Sequence, residues 1–407
     1  MSLAASDATK VIRVRPLSSG QLALLLAALS MLGPFSVDTY LPAFGSIAQA
    51  LNASALEVQQ TLTAYMAAFA VMILWHGALS DAFGRRRIIM ASLAVYGLAS
   101  LGCAMASSVQ MLWGFRMLQG VSAGAGVVIG RAITRDLYKG AEAEKMMSLV
   151  TMIFSISPAI APIIGGWIVT LSDWRAIFEL LFLLALLLLA LCWRYLPESL
   201  PQERRESFHP TSLWRNYRMI FLSSRFQLKA GALAFNFSGL FLYVSSAPVL
   251  LTRHLGLGPN QFGWLFVPSV AGIFLGALAA NRLAGRRGAD RQVKIGFGLL
   301  IVSGLLNVGY HLLFSPALPW TVAPLFLYTL GMSMVAPGLT LKVLDLFPQI
   351  RGTVASCQSF TMTMLSALVA GLMAPVLAVS VVGLAIGQFA FALTGWLLWQ
   401  ISRRRTG

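Results

Sequence analysis

Apolar runs recur from Gln21 to Ile401, and no other feature of the chain narrows its fold so far. A hydrocarbon core of ~30 Å is crossed by ~20 helical residues. Windows of that kind with few charges cover residues 18–44, 57–79, 88–107, 110–133, 146–170, 175–196, 226–251, 261–283, 293–314, 319–341, 352–378 and 381–401. In most of them the apolar residues run continuously instead of alternating, which favours helices over the strands of a barrel. With 57% of its 407 residues hydrophobic and 11% charged, the chain is predicted to be an all-α membrane protein with twelve transmembrane helices, numbered spans 1 to 12.

The formal net charge is +16, from 30 Lys and Arg against 14 Asp and Glu. A nucleic-acid binder collects basic residues on one soluble face, whereas here they fall between the spans, so no nucleic-acid partner is expected. With the N-terminus placed in the cytoplasm, 27 of the 30 lie in cytoplasmic segments, Arg175 and Arg253 lie opposite, and Arg116 lies inside span 4. A bias of this size predicts both termini inside. The stretch KVIRVRPLSSGQLALLLAALSMLG resembles a signal peptide, but its apolar run continues through Pro34 to about Phe44, with no small-residue cleavage site. Cys103, Cys192 and Cys357 sit in or at the end of separate spans without C-x-x-C spacing, so neither a disulfide scaffold nor a metal site is expected.

The longest charged interval, Arg194 to Arg225, divides six spans from six. The expected organisation is a cytoplasmic N-terminal segment (1–17), an N-terminal six-helix bundle (18–196), a cytoplasmic linker (197–225), a C-terminal six-helix bundle (226–401) and a cytoplasmic tail (402–407). An amphipathic helix is expected in the linker around Leu213–Leu222, on the membrane surface. GALSDAFGRRR after span 2 is echoed by GALAANRLAGRRG after span 8. Such internal repeats are common in secondary transporters, whose two bundles rock about a site near the midplane.

No G-x-x-x-x-G-K-[ST] motif cradles ATP phosphates, so no nucleotide cofactor is expected. GVSAG, Gly120 to Gly124, matches the G-x-S-x-G nucleophile elbow of hydrolases, but it lies within an apolar helix instead of after a strand. Gly120 with Gly124, and Gly126 with Gly130, are better read as small-x-x-x-small pairs that let helices approach closely.

Of the 14 Asp and Glu and 30 Lys and Arg, three fall clearly within the windows: Asp38 in span 1, Arg116 in span 4 and Glu179 in span 6. An ionised group at mid-membrane costs at least ~2.5 to 3.5 kcal/mol, so such residues usually face a cavity and find partners. Asp38 and Arg116 both lie ~9 Å below the outer boundary, at 1.5 Å rise per residue. Either they share a pocket that takes up and releases a proton, or each caps backbone freed by the prolines. Pro34 and Pro42 flank Asp38, remove helix donors and kink span 1 near Gly33, a shape suited to lining a cavity. Glu179 is either a second proton site or the i, i+4 partner of Arg175 near the interface.

DTYLPAF (from Asp38), GALSDAFGRRR (from Gly77), RMLQGVSAGAGVVIGRAITRDLY (from Arg116), SPAIAPIIGGWI (from Ser157), DWRAIF, YVSSAP and RGTVAS follow one another along the chain. In this order they resemble the major facilitator superfamily, specifically its Bcr/CflA-type multidrug (bicyclomycin and chloramphenicol) resistance drug:proton antiporters. The resemblance implies two six-helix bundles in a bacterial inner membrane, acting as a monomer on a small-molecule substrate and protons among membrane lipids, with no cofactor beyond the proton gradient. It implies that Asp38 is the proton-coupling acid and Arg116 the arginine that tunes it. Asp81, Gly84 and Arg85 would form a cytoplasmic gate, and Pro158, Pro162, Gly165 and Gly166 the pliant surface of span 5 between the halves. The chain departs from the pattern at Ala82, where a basic residue is usual, at Gly45, where a second proline is expected, and at Glu179, where an apolar or aromatic residue is more usual.

Candidates for the substrate cavity are Tyr40, Tyr65, Gln119, Asn236, Phe237, Tyr243 and Phe266, which combine aromatic faces with a few hydrogen-bonding groups. The expected activity is proton-coupled export of small amphipathic drugs or metabolites. The alternatives are a proton-coupled importer or facilitator of a nutrient such as a nucleoside or amino acid, and a membrane hydrolase using Ser122.

Overall fold

The computed structural model describes residues 17–283 and 289–404. The predicted N-terminal segment up to residue 16, the end of the GALAANRLAGRRG echo from Ala284 to Gly288, and the last three residues of the tail lie outside it. Among the described residues twelve helices are long and apolar enough to cross a membrane. They are Ser19–Ala50, Ala55–Phe83, Arg85–Ala104, Val109–Leu137, Gly140–Leu171 and Arg175–Tyr195, then Ser224–His254, Pro259–Leu283, Asp290–Leu313, Ala323–Leu344, Pro348–Leu377 and Val381–Arg404. Each overlaps one predicted window, with ends that differ by at most six residues; span 5 begins six residues earlier than its apolar run, because Gly140 to Lys145 extend the helix beyond it.

Local chemistry sets the ends. Ser54 caps span 2 by accepting from the Glu57 amide (3.2 Å) while the Glu57 carboxylate accepts from the Ser54 amide (2.8 Å), a reciprocal cap that satisfies two orphan donors. Gly84 joins spans 2 and 3 at φ 99°, a left-handed conformation that a side chain would oppose. Span 1 is helical through Pro34 to Asp38, then passes through a 3-10 turn at Leu41–Ala43, where Pro42 sits, before the helix Phe44–Ala50. Span 4 is likewise interrupted at Gly124, between Val109–Ala123 and Ala125–Leu137.

In the first half span 1 packs on spans 4, 5 and 6, span 2 on span 4, and span 3 on spans 4 and 6. Every one of these pairings recurs six spans later: 7 on 10, 11 and 12, 8 on 10, and 9 on 10 and 12. The chain is therefore two six-helix bundles of one design. The glycines of span 4 allow this closeness: a Cβ on Gly120 would overlap the Tyr65 carbonyl of span 2, and one on Gly126 the Leu29 carbonyl of span 1.

Between the halves, span 2 packs on span 11 and span 5 on span 8. At the face remote from the termini, Gln59 Nε2 donates to the Ala370 carbonyl (3.0 Å) and Gln60 Nε2 to the Gly371 carbonyl (2.8 Å). Those carbonyls belong to a π-helical turn, Val369–Met373, whose wider winding re-aims backbone acceptors. Toward the terminus-bearing face a cavity of about 410 Å³ lies between spans 2 and 4 on one side and the start of span 11 on the other, roofed by the linker. The linker holds the expected helix, Pro210–Leu222. It ties both halves: the Tyr217 hydroxyl donates to the Leu74 carbonyl of span 2 (2.5 Å), and Phe221 meets Phe226 of span 7 and Phe360 of span 11.

Candidate functional site

Arg116 is fully buried two turns into span 4. Its guanidinium lies 4.6 Å from the ring centre of Tyr40 and 4.3 Å from that of Tyr65, with Phe178 of span 6 at 5.9 Å. Nη1 donates to Gln119 Oε1 at 2.8 Å and is 3.5 Å from the Ser36 carbonyl of span 1, while Nε and Nη2 have no partner. Aromatic faces attract a cation through their quadrupoles, and the flat guanidinium suits that stacking better than an ammonium would.

The walls are themselves fixed by hydrogen bonds. The Tyr65 hydroxyl donates to the Gly33 carbonyl (2.9 Å) and accepts from Ser36 Oγ (3.0 Å), and Tyr40 shares a 2.7 Å hydrogen bond with Thr61. Gln119 Nε2 donates to Ser100 Oγ (2.7 Å), holding its oxygen toward Arg116.

Asp38 ends the first helix of span 1 and is 6% exposed. Its neighbour Ser36 reaches Arg116 through its carbonyl, so the two ionisable residues occupy one layer, as their depths predicted. The expected direct pair is nevertheless not formed: among the described residues no ion pair or hydrogen bond engages the Asp38 side chain. Gln119, three residues beyond Arg116 on the same face of its own helix, takes Nη1, and the Nε–Nη2 edge is left open without the Asp38 carboxylate reaching it.

Glu179 also departs from expectation. It is exposed on span 6 and forms no pair with Arg175, which instead bridges to Asp173 (3.1 Å) and donates to the Ala106 carbonyl (3.0 Å). Phe178 enters the guanidinium cage, so the next residue, turned ~100° around the helix, points away.

The substrate candidates do not converge. Tyr40, Tyr65 and Gln119 build the cage and are buried, as are Phe266, Asn236 and Tyr243 in the other half, while Phe237 is partly buried against Phe241. Both amide atoms of Asn236 lack partners. The Tyr243 hydroxyl accepts from Asn307 Nδ2 (2.7 Å), which also donates to Gln388 Oε1 (2.8 Å). Sequence reasoning missed Asn307 and Gln388, although side-chain amides well inside apolar windows 9 and 12 were the signal. It also missed Ser36, Thr61 and Ser100, whose small hydroxyls are common in membrane helices and give no such contrast.

At the terminus-bearing face Arg85 bridges to Asp81 and to Asp136 (3.1 Å), and its guanidinium donates to Ser80 Oγ (2.7 Å). Its backbone amide donates to Glu198 Oε1 at 2.9 Å, and Glu198 also approaches Arg205 at 3.8 Å. A Cβ on Gly84 would crowd that carboxylate. The residues expected at the gate thus form one charged cluster, joined to the linker, within the first half.

In span 5, Pro162 is buried and Pro158 half-buried. A Cβ on Gly165 would overlap the Thr39 carbonyl of span 1, and one on Gly166 the Pro259 carbonyl at the start of span 8. Adjacent glycines therefore seat span 5 on its own half and against the other half, next to Asp38. Ser122 Oγ donates to the Leu118 and Gln119 carbonyls of its own helix, as an ordinary buried helical serine does.

The sequence matches the family model of the Major Facilitator Superfamily over residues 24–371. It is 31% identical over 341 residues to a bicyclomycin resistance protein homolog of Haemophilus influenzae, covering 82% of this chain and 83% of that one. It is 27% identical over 328 residues to the multidrug transporter MdfA of Yersinia pestis, covering 81% and 80%. The fold resembles the crystal structure of the nucleoside transporter NupG with a TM-score of 0.73 at 12% identity, over 95% of this chain and 99% of that one.

Proposed function

This chain belongs to the Major Facilitator Superfamily, and from that premise we propose that it is a proton-coupled exporter of small amphipathic drugs or metabolites. It is a multi-pass membrane transporter and not an enzyme. The export reading draws on relatives whose names describe bicyclomycin resistance and multidrug transport. In this reading the membrane is a bacterial inner membrane with both termini in the cytoplasm, the side on which 27 of the 30 basic residues fall.

One observation carries the coupling: Asp38 is buried in span 1 with no side-chain partner among the described residues, in the layer of a guanidinium that leaves two N–H groups unbonded. A carboxylate without a counter-charge is costly away from water, so the group must carry a proton or gain a partner. Residues of span 1 next to it, Ser36 and Tyr40, build the Arg116 cage, and Gly165 packs span 5 on the Thr39 carbonyl beside it. A proton on Asp38 is thereby linked to how spans 1, 4 and 5 fit together. Cargo and proton exchange when each favours a different arrangement of the two halves, because a ligand shifts an equilibrium only by its differential affinity for the two states. In this reading the contacts of Gln59 and Gln60 across the halves at the remote face, with the larger cavity at the other, belong to an arrangement that takes cargo from the cytoplasm.

The test is transport in proteoliposomes under an imposed pH gradient, with antibiotics and dyes as probes. Asp38→Asn should lose gradient-driven movement by more than about tenfold while retaining exchange of cargo across the membrane without a gradient. Full gradient-driven transport by the variant would dispose of the coupling.

A further inference from the structure

Span 4 carries a second arginine with no use in the scheme above. Arg131 stands six residues before the end of the span at Leu137, hence ~9 Å inside it. It lines a cavity of about 130 Å³ between spans 1, 4 and 5, whose other walls include Val127, Met147, Val150 and Phe154. Among the described residues neither Arg131 nor Arg135, one turn further on, has a hydrogen bond or an ion pair. The hydroxyls around the cavity are already engaged: Ser30 donates to the Leu26 carbonyl (2.8 Å), Thr134 to that of Gly130 (3.0 Å) and Thr151 to that of Met147 (2.8 Å). Arg131 is exposed, so the cavity offers at its open side a guanidinium without a protein partner, beside apolar walls. No carboxylate lines it.

We infer that Arg131 is the subsite for the head of an anionic amphiphile, with a carboxylate, sulfonate or phosphate on the guanidinium and an apolar body against Met147, Val150 and Phe154. The inference rests on the export reading and names the class of cargo that reading leaves open. Guanidinium and carboxylate match as fork to fork. A cavity of this size is close to the ~150 Å³ that holds one benzene ring. A lipid phosphate has the same chemistry as such a cargo, and the experiment separates the two.

The probes are 4-butylbenzoate and its uncharged analogue 4-butylbenzamide, titrated onto the full-length protein in nanodiscs of pure phosphatidylcholine. The benzoate should bind about tenfold more tightly than the amide, the preference of one charge-assisted hydrogen-bonding pair. Arg131→Gln should erase the preference while leaving amide binding unchanged, and Arg131→Lys should keep part of it. Equal binding of the two probes by the parent protein, or an undiminished preference in Arg131→Gln, would overturn the inference. Adding phosphatidylglycerol separates the sources: loss of the preference would assign the guanidinium to lipid phosphate and overturn the cargo site, whereas retention supports it. Gradient-driven export of the amide, measured in parallel, tests the export reading independently of the anion site.

Discussion

Arg116 shows how a charge is held inside a membrane bundle without a countercharge in contact. Tyr40 and Tyr65 stack on it, and one short bond runs to Gln119, so the cation is compensated by quadrupoles and one amide. The compensation is incomplete, since Nε and Nη2 remain unbonded. Those are the donors that an acceptor, including a carboxylate in the same layer, would meet if span 1 moved. Gln119→Leu removes the single short bond and leaves the Ser100 hydroxyl without its donor. It should lower stability by ~1–3 kcal/mol, the cost of unsatisfied buried polar groups, as a reduced unfolding temperature in detergent. An unchanged unfolding temperature would mean that the rings alone hold the arginine. The pairing of Asp38 with Arg116 was only half legible in the sequence: depth along a helix follows from residue count, but direction around it does not reveal that Gln119 is a nearer acceptor.

Span 5 and the linker helix act between elements. Gly165 and Gly166 are adjacent yet touch different bodies, the first the Thr39 carbonyl of its own half and the second the Pro259 carbonyl of the other. Gly165→Ala should therefore destabilise the first bundle itself, by the ~1–3 kcal/mol typical of an extra methyl in a packed interior. Gly166→Ala should leave the bundle intact and push the halves apart at the remote face, seen as a longer distance between spin labels on spans 5 and 8. If both substitutions gave the same phenotype, the division between the two contacts would be wrong. The linker helix is fastened by Tyr217, whose hydroxyl is pushed up to about 12 by burial. The native hydroxyl therefore keeps its proton where a free tyrosine, with a pKa of ~10, begins to lose it. Its contribution to docking is complete below about pH 10 and disappears as pH rises through about 12. Tyr217→Phe should cost ~1 kcal/mol at neutral pH and abolish the alkaline loss, read from the fluorescence of a probe attached to the helix.

For the whole molecule, the repeated pairings of spans 1–6 and 7–12 give two bodies of similar construction, and the contacts between them decide which face is closed. At the remote face those contacts include two side-chain amides donating into one π turn. Each such bond contributes ~0.5–1.5 kcal/mol, so replacing Gln59 and Gln60 together by Ala should shift the balance toward opening at that face by about tenfold or more. Label distances between the outer ends of spans 2 and 11 would report the shift, and an unaltered distribution would place the latch elsewhere. By itself the sequence determined the number of spans, their approximate bounds, the break between halves, and the lone charges at Asp38 and Arg116. Those follow from solvation along a single helix: hydrocarbon excludes charge and unsatisfied backbone, and both are counted residue by residue. Only the tertiary structure decided that the guanidinium sits among tyrosines, that Glu179 faces outward, that the amides of Asn307 and Gln388 meet, and that the π turn of span 11 receives Gln59 and Gln60. Each of those depends on how one helix is rotated against another, and every rotation that satisfies hydrocarbon equally well is the same to the sequence until packing selects among them.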